Sequence, residues 1–442
     1  MSSVDLLEHL SVIGDPRIER NKKHDLSEML FVAVCAAISG AEGWSDIVEF
    51  AEAKEEWLRR FVRLDNGIPV DDTFARVLSR IARSALQECL VKWTQSLCDG
   101  SAGEVIAIDG KTVRRSHDRR GGRGPLHLVR AWATEAGLAL AQVATEVKWN
   151  EIVAIPVLLR YLELEGAIIT IDAMGCQREI AAQVVEQGGD YVLAVKGNQA
   201  SLHEAIVDFF GAARSHNFRE VAHTYYTQTD SGHGRVEVRR CWASAHLDGL
   251  PHRDPWAGLQ SIAMIEGERH VDGKVSVERR YFITSLVAAA EPIARAVSAH
   301  WQVENGCHWL LDMTFREDDS RIRRGHGAEN FSTLRHFALN LLKQHEPKLS
   351  VRKKQIRAGF SAHFREELLW DVVFMAAHAV RAQTGGGAQP LYDLARVPRD
   401  GEARQAVTTT LKLIVGPGDE GEAVGCLLVV ARRWLQSAPH RR

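Results

Sequence analysis

"EVIAIDG", residues 104–110, and "AIITIDAMG", residues 167–175, are built alike. Each is a short, unbroken apolar run that stops at an aspartate with a glycine close behind. A strand with one face in water alternates apolar and polar side chains. An unbroken run is what a strand covered on both faces carries. Two such strands lying side by side in parallel would bring Asp109 and Asp172 together at their carboxyl ends, the edge where open α/β sheets bind ligands. Two close carboxylates repel, and a hard divalent cation is a ready remedy.

The flanking sequence supplies the rest of a sheet. "LHLVRAWAT" (126–134), "LALAQVATE" (138–146) and "DYVLAVKGN" (190–198) also read as strands, with amphipathic helices near Ile152–Leu162 and Glu179–Glu186. Three strands, helix, strand, helix, strand predicts a mixed sheet whose central strands are parallel. Residues 223–286 read as antiparallel, through "RVEVRRCWA", "LQSIAMIEGE" and "VERRYFITS", and helices resume near Glu291. Before Glu104 the chain reads as helix. Asp25 and Glu28 form a capping box ahead of an apolar run that Gly40 closes. Ser45 is placed to cap a second helix through Phe50 and Trp57. Asp72 is placed to cap a third, striped by Phe74, Val77, Leu78 and Ile81. These helices fit either a plain helical domain or a helix-turn-helix module that grips DNA. "TGGGAQP" at 384–390 reads as a linker.

Composition excludes several classes. With 442 residues, 45 % hydrophobic, 25 % charged and a net charge of −2, the chain is neither disordered nor fibrous. A near-neutral total can still hide basic patches, so nucleic acid stays open as a partner. Seven scattered cysteines without a CxxC pair argue against a thiolate zinc site and for a reducing, cytoplasmic setting. The longest apolar run, Met29 to Ile38, is too short to span a bilayer.

A third acid comes from "HWQVENGCHWLLDMTFREDDSR", residues 300–321, where His300, Glu304, His308 and Asp312 recur every four residues on one helix face. Glu304, flanked by bulky apolar residues, would complete a three-carboxylate cluster with Asp109 and Asp172. Such a cluster can hold two Mg²⁺ or Mn²⁺ ions about 3.5–4 Å apart, the arrangement used in phosphoryl transfer. Asp312, Glu317, Asp318 and Asp319 read as helix-end and loop charges. His300 and His308 beside Glu304 raise a zinc alternative, but oxygen-seeking ions suit the aspartates better. "DGKT" at 109–112 is no phosphate-binding loop, because Val105 stands where that loop needs glycine.

Basic residues flank the acids. Lys111, Arg114, Arg115, Arg119, Arg120 and Arg123 follow Asp109, and Lys196 ends the strand after that of Asp172. In "HGRVEVRR", Arg235 and Arg239 share a strand face beside His233, and Arg316, Arg321, Arg323 and Arg324 follow Glu304. Together they fit a groove that grips a phosphate backbone.

Nine phrases in order resemble one family: "DPR" (15–17), "GIPVDDTFARVL" (67–78), "IAIDGKTVRRS", "NEIVAIPVLL", "IDAMGCQREIA", "DYVLAVKGNQ", "HGRVEVRR", "RYFITSL" and the 300–321 stretch. The chain is similar to bacterial insertion-sequence transposases of the DDE class, the H-repeat-associated (ISAs-type) group. The resemblance implies an α/β protein, with a helical transposase-associated domain at 1–100 and an RNase H-like mixed-sheet catalytic domain at 101–380. A β-rich insertion falls at about 215–288, and residues 381–442 form a linker and tail without counterpart. It places the acidic triad on Asp109, Asp172 and Glu304; the clustering of basic residues puts the DNA contacts on Lys111, Arg114, Arg115, Lys196, His233, Arg235, Arg239 and Arg321. It further implies Mg²⁺ or Mn²⁺, a homodimer on double-stranded DNA, and cutting and joining of element ends in the cytoplasm. A metal-dependent nuclease and an inactive DNA-binding relic are the alternatives. Trp149, in "KWNE", stands where family members usually carry a small polar residue.

Overall fold

The computed structural model describes residues 3–369, apart from 98–102, 118–123, 146–150, 233–234, 252, 254 and 346–347. Residues 9–362 form one compact unit, and a second unit comprises residues 1–8 and 363–442. His233, Arg119, Arg120, Arg123, Trp149 and the 384–390 linker lie outside the described residues.

The helical start contains α1 (Ser3–Ser11), α2 (Leu26–Ile38), α3 (Trp44–Ala53), α4 (Glu55–Leu58), α5 (Asp71–Leu78) and α6 (Arg83–Gln95). Asp25 caps α2 as expected, accepting from the Ser27 and Glu28 N–H groups. Glu28 does not close the box. Its carboxylate takes the Arg63 and Leu64 N–H groups instead, which ties a distant loop to the helix start. Two helix starts differ from the sequence reading. Asp46 rather than Ser45 serves the start of α3, accepting the Glu42 and Gly43 N–H groups at 2.8 and 3.0 Å. The chain breaks after Ala53, which leaves Trp57 in α4, and α5 already begins at Asp71.

Nine strands form one sheet: β1 (Val105–Val113), β2 (Leu126–Ala133), β3 (Leu138–Thr145), β4 (Ile168–Ile171), β5 (Asp190–Val195), β6 (Thr224–Gly232), β7 (Arg235–Ser244), β8 (Ser261–Val271) and β9 (Lys274–Thr284). Their order is β3-β2-β1-β4-β5-β9-β8-β7-β6. β1, β4 and β5 pair in parallel and every other neighbour is antiparallel. The antiparallel strands of 224–284 therefore continue the central sheet through β9 rather than building their own.

Strand alternation decides what each face meets. Ile106, Ile108, Ile169, Ile171, Leu193 and Val195 enter one core with α7 (Glu151–Leu159), α8 (Arg178–Glu186) and α9 (Ala200–Ser215). Val105 and Val192 point the other way, into a core with Ala263, Phe282 and the Ile293 and Ala296 side chains of α10 (Ala290–His300). Both faces of the parallel strands are covered, which is why their sequences are unbroken apolar runs. The remaining helices among the described residues are α11 (Trp309–Met313), α12 (Gly327–Gln344) and α13 (Val351–Phe360). α12 is buried along most of its length. Its Asn340 side chain exchanges two 2.9 Å hydrogen bonds with the backbone of Ala139, so a helix satisfies part of the open edge of β3.

Candidate active site

The pairing of β1 with β4 ends at Ile108 opposite Ile171. One residue further, Asp109 and Asp172 leave the carboxyl ends of two adjacent parallel strands. Asp109 is four residues from Val105, so its side chain lies on the α10 face. Its Oδ1 accepts the Gly110 N–H at 2.8 Å. Asp172 caps the short turn Ala173–Gly175, accepting the Met174 and Gly175 N–H groups.

The third acid arrives on the same face. His300 ends α10 and is tied to the sheet by a 3.0 Å hydrogen bond with the Thr170 hydroxyl. The chain then enters a π-helical turn, Glu304–His308, in which the Trp309 N–H bonds to the Glu304 carbonyl. Such one-turn π-bulges recur at functional sites. One ligand atom each from Asp109, Glu304 and His308 lie within 4.8 Å of one another. Asp172 falls outside that group, yet close enough for its charge to act on Asp109. Burial, and after it the charges of Glu304, Asp172 and Glu151, push the Asp109 carboxyl up to about 7 against the pull of the Gly110 N–H.

His308 is 4 % exposed. Its Nδ1 stands 3.5 Å from Asp109 Oδ2, and its Nε2 is buried without a hydrogen-bond partner. Burial first, then the charges of Arg130 and Lys111, hold its protonation well below the ordinary histidine range. Asp312 pairs with Lys111, which follows Asp109 by two residues on the same side of β1.

A buried network lies behind the acids. Arg130 of β2 is opposite Asp109 in the ladder and forms a 2.6 Å ion pair with Glu317, both side chains being fully buried. Ser332 donates to Glu317 at 2.7 Å. Burial opposes ionisation of Glu317, but Arg130, Arg335 and Ser332 together hold its carboxyl down to about 2. Glu317 is thus a core residue and not the loop charge its sequence suggested. On the opposite face of β1, Glu151 and His127 pair at 2.5 Å, and Thr112 meets the other nitrogen of His127 at 2.8 Å. Glu151 presses against Gly110 so closely that a Cβ there would collide with its carboxylate.

The basic residues divide. Lys111 is taken up by Asp312, and Arg114 and Arg115 pair with Asp318 and Asp319 at 3.3 and 3.1 Å while remaining largely exposed. Arg321 is exposed, and Lys196 is exposed at the end of β5. Arg235 and Arg239 do not adjoin the acids. Continuing the ladder one step past Ile171–Leu193 puts Asp172 level with Ala194, hence with Phe282, Ala263 and Ala243. Arg239 and Arg235 lie four and eight residues beyond Ala243, roughly 13 and 26 Å along β7 at the usual strand rise. They occupy the same face, on a four-stranded arm that projects past the carboxyl edge. Arg239 is also held by Asp230 and Glu237 at 3.0 Å each.

Sequence reasoning missed Arg130, Glu317, the Glu151–His127 pair, Arg280 and Trp301. A lone arginine inside the apolar run "LHLVRAWAT" was the available signal for Arg130. Arg280 follows Lys196 along the edge and stacks on the half-exposed Trp301 ring at 4.8 Å.

Among the described residues no helix is long and apolar enough to cross a membrane, and Cys35, Cys89, Cys176, Cys241 and Cys307 are buried. A family model described as "Transposase DDE domain" matches residues 100–341, and one described as "DDE_Tnp_1-associated" matches residues 7–94. The chain is 41 % identical over 374 residues to "Putative transposase YncI" of Escherichia coli O157:H7, covering 84 % of this chain and 95 % of that one. It is 40 % identical over 370 residues to "H repeat-associated putative transposase YhhI" of Escherichia coli K12, covering 82 % and 97 %. A solved piggyBac transposase synaptic complex with hairpin DNA aligns with 94 % of this chain and 84 % of its own, at 11 % identity and a TM-score of 0.36, too distant to bear on the fold. On sequence match along almost the whole length of its relatives, the chain belongs to the DDE transposases, in their H-repeat-associated group.

Proposed function

We propose that this transposase cuts DNA at the ends of its element and joins the freed ends to target DNA, with Asp109, Asp172 and Glu304 as the metal-holding acids. One observation carries the reading: two aspartates end adjacent parallel strands, and a helix on the same face brings a glutamate to within 4.8 Å of Asp109. The strand order β3-β2-β1-β4-β5, with β2 alone reversed, supports an RNase H-like catalytic core in residues 101–380, with residues 224–284 as its β-rich insertion.

The donor set fits divalent ions. Carboxylate oxygens crowd a pocket where Asp109 resists ionisation, and a buried imidazole nitrogen lacks any protein partner. Two Mg²⁺ or Mn²⁺ ions there would supply the Lewis acidity that stabilises charge on the attacking and leaving oxygens. The chain itself does the rest. The Gly110 N–H fixes the rotamer of Asp109, and the Met174 and Gly175 N–H groups fix that of Asp172. Lys196, Arg280 and Arg321 hold the scissile backbone, Arg114 and Arg115 the strand beside it, and Arg235 and Arg239 the duplex further out.

Double-stranded DNA, as terminal inverted repeats and as target, is the substrate; the chain acts as a homodimer on it, in the cytoplasm. The helices before residue 100 read the element's ends. α2 and α6 pack on α12, and α6 on β3, so their role must be tested by surface substitution, since deletion would strip the core of α12. The decisive experiment incubates the purified chain with labelled element-end and target duplexes. Cleavage at the ends and covalent joining should both appear with Mg²⁺ or Mn²⁺. Cleavage without joining would favour a nuclease, and full cleavage in excess chelator would overturn the reading.

A further inference from the structure

Three of the four residues expected on one helix face have separate fates. His300 is committed to Thr170 and Asp312 to Lys111. His308 stands 3.5 Å from Asp109, with Glu304 in the same 4.8 Å group. Nδ1 is the nitrogen nearest Asp109, while Nε2 of the same ring is buried without a hydrogen-bond partner, and such groups in native proteins call for an explanation.

Resting on the metal-dependent reading of the acids, we propose that His308 is a nitrogen ligand of the ion shared by Asp109 and Glu304, which makes this one position selective for Mn²⁺ over Mg²⁺. Mg²⁺ takes oxygen donors almost exclusively, whereas imidazole adds affinity for the first-row transition ions. An ion held by Asp109 and Glu304 would then meet nitrogen as well as oxygen donors. His300, only two helical turns away and in the same sequence pattern, does not take part.

Pulsed electron paramagnetic resonance on Mn²⁺ titrated into the metal-free full chain tests this without reference to activity. The spectrum should show nitrogen modulation from a directly bound histidine, and selective ¹⁵N-histidine labelling should change it. The modulation should disappear in His308→Gln and persist in His300→Gln. Competition by Mg²⁺ should become more effective in His308→Gln, with the Mn²⁺/Mg²⁺ affinity ratio falling on the order of tenfold. Bound Mn²⁺ with no nitrogen coupling in the unmodified chain would overturn the inference, leave the three-acid reading standing, and require no variant to fold. Coupling retained in His308→Gln would overturn it equally. Failure to bind Mn²⁺ at all would overturn both.

Discussion

Replacing Asp109 with asparagine should make the metal-free protein more stable at neutral pH, although it removes a proposed metal ligand. Burial and the charges of Glu304, Asp172 and Glu151 raise this carboxyl from its ordinary 3.8 to about 7. Between those values the unfolded chain has released the proton and the folded chain still holds it. Stability contributed by the group therefore falls as pH rises from about 4 to 7, at about 1.4 kcal/mol per pH unit. The full interval corresponds to about 4 kcal/mol; with Asp109 about one-fifth exposed and water able to relax around it, about 2 kcal/mol is the sounder expectation. Asparagine keeps the shape and carries no charge. Thermal unfolding of both proteins in chelator, from about pH 4.5 to 8, should show Asp109→Asn gaining steadily on the parent, by a few degrees at the upper end. Saturating Mn²⁺ should reverse the order, because only the parent gains binding energy from the ion. A gap independent of pH would refute the electrostatic crowding on which the metal assignment depends.

The buried Arg130–Glu317 pair predicts that Glu317→Gln costs about 3–5 kcal/mol by stranding Arg130, seen as a lowered denaturant midpoint at about pH 7. Because the folded carboxyl is depressed to about 2, its stabilisation is present above about pH 4.5 and fades as pH falls toward 2, so the penalty of the substitution should shrink in acid. Gly110→Ala should drive a methyl group into Glu151 and impair metal binding beyond its effect on stability, measured by calorimetric Mn²⁺ titration against unfolding curves. Lys196→Ala and Arg235→Ala should each weaken binding to all DNA sequences alike and flatten the log–log salt dependence by roughly one unit. On duplexes trimmed to leave only a few base pairs beside the cleavage point, Arg235→Ala should lose its effect and Lys196→Ala should keep it, since Arg235 stands roughly 26 Å out along β7.

Much of this architecture is legible in the sequence because each feature has a one-dimensional signature. Unbroken apolar runs give away β1 and β4, since both faces are covered, and the register of Ile108 with Ile171 then sets their terminal aspartates side by side. The four-residue spacing likewise links Glu304 to His308. It does not reveal that Asp312 is taken up by Lys111, a partner about 200 residues earlier in the chain. Glu317 misleads for a related reason. "REDDSR" looks like solvated loop, and only a buried arginine about 190 residues earlier in the chain makes one of its acids a core residue. Sequence alternation puts Arg235 and Arg239 on the correct face but too near the acids. Alternation gives the face of a strand, whereas distance along the sheet depends on the register of five strands.

The central claim is that Asp109, Asp172 and Glu304 act as one metal-holding unit, and single-turnover cleavage of element-end DNA tests it most directly. Asp109→Asn, Asp172→Asn and Glu304→Gln should each lower the rate on the order of 10³-fold or more while leaving DNA binding nearly intact. The double variant Asp109→Asn with Glu304→Gln should be scarcely slower than either single, as residues that serve one function are non-additive. Near-normal cleavage by Glu304→Gln, together with loss of cleavage in Asp312→Asn, would contradict the account and move the third acid further down the chain.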